Sequence, residues 1–265
     1  QKTARRIASE KSIRNVEKKI SPLAEIFRLQ DMDEYKEAEF RYLPKVQKTQ
    51  ALILAASMDK NFGTLTRDIP KCMLQVEGKS ILEQQVAIMN KLGIKDISVV
   101  VGYKKKAIAV PHLTYICNND YARRGIMVSY LKGLEGIQGP CIVSFGDILY
   151  ETHVLRDLLE QEGDIVLAVD VSWWQGYKQN REIDAVIAES PPAEGYLAGR
   201  SFSLKKIGTN INHQDAHGEW IGLMKLSSRG TETFKKELLA FFAETKNIFY
   251  QADINDFFMR LISRR

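Results

Sequence analysis

The run Ile97-Ser98-Val99-Val100-Val101 constrains the fold more than any other feature of the chain. A near-continuous β-branched stretch offers no polar face to water, so it reads as a strand covered on both sides. Two further runs behave alike. Ala51-Leu52-Ile53-Leu54 leads into a loop of small residues, and Cys141–Phe145 stops at Gly146-Asp147. Between and after them lie segments of helical period: Ser80–Leu92, stopped at Gly93, then Val128–Leu134 and Val154–Glu160. Leu113–Cys117 and Ile165–Val169, which ends at Asp170, read as shorter strands. Doubly buried strands alternating with helices predict an α/β fold, with a mostly parallel sheet and helices on both faces.

The flanking regions follow other rules. From Ser172 to His217 the chain is irregular, with Trp173-Trp174, Pro191-Pro192 and several glycines, as in loops or antiparallel strands inserted over a site. Trp220–Leu226 reads as a last strand, and Thr231–Phe242 and Asp253–Ile262 as terminal helices. In residues 1–47, Ile7, Ile13, Val16, Ile20, Leu23, Ile26 and Phe27 recur at helical spacing. Ser21-Pro22 suits a helix start, and a further short helix over Asp33–Arg41 ends before Leu43-Pro44. Short amphipathic helices cannot bury their faces alone, so this appendage is expected to pack on the main domain or on a partner, giving a route to a homo-oligomer. Lys45–Gln50 reads as a polar linker, which divides the chain into 1–50 and 51–265.

A chain of 265 residues, 45% of them hydrophobic, can hold one large α/β domain and such an appendage. Its net charge of +5 suits small anionic substrates, while nucleic-acid binding calls for a denser basic stripe. Lys104-Lys105-Lys106 and Arg123-Arg124 read as solvated faces. Cys72, Cys117 and Cys141 are odd in number and lack zinc spacing, so buried free thiols in a reducing compartment are expected. No apolar run approaches the ~18 residues that cross a bilayer, and the N-terminus is unlike a signal peptide, so a cytoplasmic location is expected.

The chemistry concentrates at strand ends, where open α/β sheets hold ligands. Leu54, Ala55, Ala56, Ser57 and Met58, with Lys60 and Asn61 beyond, form a loop whose small residues let the backbone approach a base or phosphate. Lys71, after Pro70, supplies a compact cation for phosphate oxygens. Asp147, directly after a buried strand, is the candidate magnesium ligand, since magnesium takes one or two carboxylates and completes its shell with water and phosphate. The competing reading of Asp147 is a loop cap; Asp170 has the same position without a preceding glycine and reads equally as structural. Lys104 follows a strand at the same edge and is a candidate contact to an anionic acceptor. Tyr121, Trp173, Trp174, Glu219 and Trp220 could hold an ammonium between ring faces and a carboxylate, or could simply be core and lid packing. The four histidines show neither metal spacing nor a nucleophile context.

Several of these segments together resemble one superfamily, the nucleoside-triphosphate transferases, with their Rossmann-like nucleotidyltransferase fold. Leu54-Ala55-Ala56-Ser57, Pro70-Lys71-Cys72-Met73-Leu74, Gly78-Lys79-Ser80-Ile81-Leu82, Val99–Lys104 and Gly146-Asp147 resemble its LAAG, PK, GKP, VVxGYK and GD motifs. Ser57 and Asp59 stand where glycines are usual, Asn61 where an arginine is usual, and Gly125 where an asparagine is usual. Asn118-Asn119-Asp120-Tyr121 through Ser129-Tyr130 is similar to the acceptor stretch of phosphocholine and phosphonate members, which implies substrate contacts by Tyr121 and Ser129. Arg6–Glu10, Ile20–Gln30 and Tyr42-Leu43-Pro44 resemble the C-terminal tail of phosphoenolpyruvate mutase, without its catalytic barrel. The resemblance implies an Mg2+-dependent cytidylyltransferase that joins CMP from CTP to a phosphonate such as 2-aminoethylphosphonate. The alternatives are a sugar-phosphate or phosphocholine nucleotidylyltransferase, or a nucleotide-binding domain impaired in turnover.

Overall fold

In the computed structural model the described residues are 4–6, 46, 48–58, 62–122, 125–172, 182–190, 201–246 and 248–264. The tail expected to be helical holds a short strand, β1 (Ala4–Arg6), within that set, and Ile7–Arg41 lies outside it. The first long strand, β2 (Gln50–Ala55), is followed by a 3-10 turn at Lys71–Met73, a two-residue hairpin of β3 (Gln75–Val76) and β4 (Lys79–Ser80), and helix α1 (Ile81–Lys91). Ser80 caps α1: its hydroxyl accepts from the Glu83 amide while the Glu83 carboxylate accepts from the Ser80 amide. Strand β5 (Ile97–Val101) has the predicted bounds, and β6 (Thr114–Cys117) follows, then α2 (Ile126–Glu135). The chain continues through β7 (Cys141–Phe145), β8 (Ile148–Tyr150), α3 (Thr152–Glu160) and β9 (Ile165–Asp170). The irregular region contributes β10 (Ala185–Ala188) and β11 (Leu204–Gly208), and β12 (Gly218–Leu226), α4 (Ser228–Thr245) and α5 (Ile254–Ser263) complete the fold.

Eight strands form the central sheet, in the order β11-β10-β12-β7-β2-β5-β6, with β9 also paired to β12. Strands β7, β2, β5 and β6 are parallel neighbours. β12 runs against β7, and β9 and β10 run against β12, so both point the same way as β7; β11 is reversed again. The sheet is therefore mixed but mostly parallel, with helices on both faces, as the alternation predicts. β5 and β7 are buried at every position. Each such Val, Ile or Leu contributes about 1.5–3 kcal/mol by leaving water, which outweighs the modest strand preferences. Gly133 of α2 lets the helix lie on the sheet, because a Cβ there would meet Leu52 and Val100 at 2.7 and 2.9 Å.

Two expectations need correcting. Lys45–Gln50 is not purely a linker: Val46 is buried in the core, and Gln50 opens β2. The Gln50 side chain is consumed at the amino edge of the sheet, donating to Asp96 at 2.6 Å and accepting from the Gln138 amide. Cys117 is exposed rather than buried, because β6 is an edge strand, whereas Cys72 and Cys141 are buried as expected. Among the described residues no helix is long and apolar enough to cross a membrane.

Candidate active site at the carboxyl edge of the sheet

Parallel pairing sets three strand ends side by side. Leu54 lies opposite Phe145 and Ala55 opposite Val101, so the segments after β2, β5 and β7 emerge at one edge. The ladder continues beyond the strands: the Gly146 amide donates to the Leu54 carbonyl at 2.9 Å, and the Tyr103 amide to the Ala56 carbonyl at 2.9 Å. This close approach requires glycine on each side. A Cβ at Gly146 would sit 2.8 Å from the Ala55 Cβ, and one at Gly102 would sit 2.7 Å from the Ala56 oxygen. The loop after β2 is thereby clamped between its neighbours.

Lys71 and Asp147, 76 positions apart, meet at this edge. The Lys71 Nζ donates to Asp147 Oδ2 at 2.6 Å, with both side chains about nine-tenths buried (11% and 10% exposed). Together with Leu54, Ala55, Ser57, Cys72 and Gly146 they line a small hollow. The Phe62 ring lies 5.8 Å from the Lys71 ammonium and gives it a second, weaker partner. Burial, reinforced by the neighbouring Asp147 carboxylate, pushes the Cys72 thiol up to about 12, which leaves it protonated and inert. The hollow thus pairs one cation with one carboxylate in a poorly hydrated setting, where charges act strongly on a bound anion.

The remaining residues singled out in the sequence fall into three groups. Ala56 is buried, Ser57 is exposed and lines the hollow, and Met58 is exposed, while Lys60, Asn61 and Trp173 lie outside the described residues. Lys104 sits at the same edge in a left-handed turn, exposed, 3.8 Å from Asp68 and 5.9 Å from the Tyr103 ring centre. Tyr121 packs edge-on against Tyr103, with ring centres 6.1 Å apart, beside Gly102. Ser129 is buried and accepts a hydrogen bond from the Asn118 amide at 3.0 Å, and the Asn118 oxygen accepts from the Asp120 amide. Ser129 therefore braces the turn that presents Tyr121.

Glu219 is buried inside β12, opposite Asp170 of β9 and Ala185 of β10. Trp220 is not part of an ammonium site: it is fully buried, with Phe145 and Phe258 each 5.1 Å away edge-on. Asp170 caps its own turn, accepting from the Ser172 amide at 2.8 Å. Asp253 and Asp256 form the capping box of α5. Sequence reading missed Gln85, which is buried beneath the Asp147 turn. Its signal was a polar residue on the apolar stripe Ile81, Leu82, Val86, Met89.

Comparison with known proteins places this geometry in a family. The chain is 26% identical over 210 residues to the CTP:phosphoglutamine cytidylyltransferase of Campylobacter jejuni, covering 72% of this chain and 77% of that protein. It is 26% identical over 184 residues to the choline-phosphate cytidylyltransferase of Streptococcus pneumoniae, covering 66% and 80%. To the 2-aminoethylphosphonate cytidylyltransferase of Lancefieldella rimae it is 26% identical over 117 residues, 42% of this chain and 48% of that one. An apo UDP-glucose pyrophosphorylase structure shares the fold, with a TM-score of 0.60 at 17% identity over 82% of this chain and 88% of that chain. The family profile of the MobA-like NTP transferase domain matches residues 51–199, the segment that carries β2, Lys71 and Asp147 and more than half of the chain, and the chain belongs to that family.

Proposed function

We propose that the chain is a cytidylyltransferase that joins CMP from CTP to a small phosphonate such as 2-aminoethylphosphonate and releases pyrophosphate. The observation that carries this reading is the 2.6 Å pairing of Lys71 with Asp147 beside the clamped loop after β2. A phosphonate oxygen attacks the α-phosphorus, the new P–O bond forms, and the bond to the β-phosphate oxygen breaks. Negative charge builds on the α-phosphoryl oxygens and on the leaving pyrophosphate, so a placed cation stabilises the transition state more than the ground state. Lys71 exchanges Asp147 for phosphate oxygens when the nucleotide enters. The backbone of Leu54–Met58 holds base and phosphates, and Lys104 and Tyr121 face the acceptor from the end of β5 and the turn after β6. Positioning does most of the work, and no covalent enzyme intermediate is needed.

Asp147 is the residue to hold Mg2+. Among the described residues no group of three or more His, Cys, Asp and Glu converges, and a single nearly buried carboxylate suits a cation that keeps water and phosphate in its shell. When bound, the cation neutralises triphosphate charge. The phosphonate acceptor is supported by the Lancefieldella rimae relative and by the tail resemblance; the longer match to a choline-phosphate cytidylyltransferase favours phosphocholine as the second acceptor. The test is a matrix of four nucleoside triphosphates against phosphonates, phosphocholine and sugar phosphates, read by pyrophosphate release. The expected result is release with CTP and a phosphonate alone. Release only with phosphocholine or a sugar phosphate replaces the acceptor, and tight CTP binding with no release under any acceptor replaces the enzyme by a binding domain.

A further inference from the structure

We propose that Gln85 is the positioning residue of this site: from helix α1 it holds the Gly146-Asp147 turn in the geometry that aims Asp147 at Lys71. The inference rests on the reading of Asp147 and Lys71 given above. Gln85 is 1% exposed, and its side chain makes three hydrogen bonds. Its Nε2 donates to the Phe145 carbonyl at 2.9 Å and to the Ile148 carbonyl at 2.8 Å, the residues immediately before and after Gly146-Asp147. Its Oε1 accepts from the Ser144 hydroxyl at 2.7 Å. Both amide hydrogens are spent, one on each side of the turn, so the distance across the turn is set by one rigid NH2 group. The opposite amide orientation would press Oε1 against two carbonyl oxygens, so the assignment is forced by chemistry.

The same helix anchors Lys71. The Ile81 amide at the start of α1 donates to the Leu74 carbonyl at 3.1 Å, and the Leu74 amide donates to the Lys71 carbonyl at 3.0 Å. The Ser80–Glu83 capping box fixes that end of the helix. One turn later Gln85 reaches the Asp147 loop. Helix α1 is therefore a common base for both charged groups, and through Gln85 it bonds both sides of the Asp147 turn. An apolar residue would pack more easily on the stripe Ile81, Leu82, Val86, Met89, and the buried amide has no other evident task.

The test compares Gln85→Met, which keeps volume and removes all three bonds, with wild type, Asp147→Asn and Leu238→Ala, a core variant in α4. The readouts are the Mg2+ dependence of pyrophosphate release, Mn2+ binding by the protein–CTP mixture in electron paramagnetic resonance, and the melting temperature. Partners that orient a metal-binding side chain change affinity about 10- to 100-fold, so Gln85→Met should weaken Mn2+ binding and raise the Mg2+ requirement by about tenfold. Leu238→Ala should lower the melting temperature and leave both metal readouts at wild type. An unchanged metal dependence in folded Gln85→Met overturns the inference. If Gln85→Met does not fold, Ser144→Ala, which removes the bond that the amide oxygen accepts and so loosens the Gln85 side chain, should shift the metal readouts in the same direction, and no shift overturns it equally. Wild-type metal binding in Asp147→Asn removes the reading of Asp147, and the inference with it. A defective Asp147→Asn beside a wild-type-like Gln85→Met rejects only the role of Gln85.

Discussion

Strands β5 and β7 are buried along their whole length, whereas β9 is half-exposed and β11 leaves Lys205 and Lys206 in solvent. The first pair belongs to the parallel half of the sheet, the second to the antiparallel half. Parallel strands return by crossovers, so the inner strands β5 and β7 are covered on both faces and every parallel strand, the exposed edge strand β6 included, ends at the same edge. That shared edge is what collects Lys71, Asp147 and the loop after β2. The antiparallel half has no such common end. It contributes mass, an aromatic core around Trp220, Phe234, Phe257 and Phe258, and the two C-terminal helices. The paired charges thus lie in the parallel half, although one core runs under both, and substitutions in the two halves should fail differently.

The sharpest way to break this division is Asp147→Asn. It keeps the size of the side chain and removes the charge, so pyrophosphate release should fall by about 10²- to 10³-fold, as for loss of one preorganised charge at a transition state. Steady-state kinetics on folded protein check this, and a loss of less than tenfold would move the chemistry elsewhere. Comparable in free energy is Phe257→Ala, which empties a site between α4 and α5 where Phe234 lies 4.9 Å away. It should cost about 3–5 kcal/mol in denaturant unfolding with KM unchanged. A changed KM would show that the antiparallel half also sets the site.

The smallest effect sharpens the same contrast at the surface of α4 and α5. Arg260 grips the Glu244 carboxylate with two bonds of 2.6 and 2.7 Å, and that hydrogen bonding holds the carboxyl down at about 2. A depressed carboxylate stabilises the fold fully above its ordinary value near 4.5, and the contribution disappears as pH falls towards about 2. In Arg260→Ala, carbon-13 titration of Glu244 should return towards the ordinary value, part-way because Arg264 still bonds the carboxylate at 3.2 Å. The lost Glu244 ion pair itself should add little at neutral pH because that carboxylate is solvated and screened.

How much was legible follows from the same division. The bounds of β5 and β7 and the helix starts at Ser80 and Asp253 were all readable, because each is written in neighbouring residues. Glu219 and Trp220 were not sorted by their neighbours in sequence: both sit in β12, where register against β9, β10 and β7 decides what each side chain meets. Cys117 was misjudged because its apolar context is that of an edge strand. Gln85 was overlooked because its partners, Ser144, Phe145 and Ile148, lie 59 to 63 positions away.

Sequence alone determined the buried strands β2, β5 and β7, the main helices and the residue types at their ends, since hydrophobic period and turn chemistry act over a few residues. Only the tertiary structure decided that Lys71 reaches Asp147 at 2.6 Å, that Ser129 braces a turn, and that one buried amide spans the Asp147 loop. Those distances depend on strand order and on how α1 packs beneath the sheet edge. Such long-range choices are made by burial of the whole core and leave no mark in the spacing of neighbouring residues.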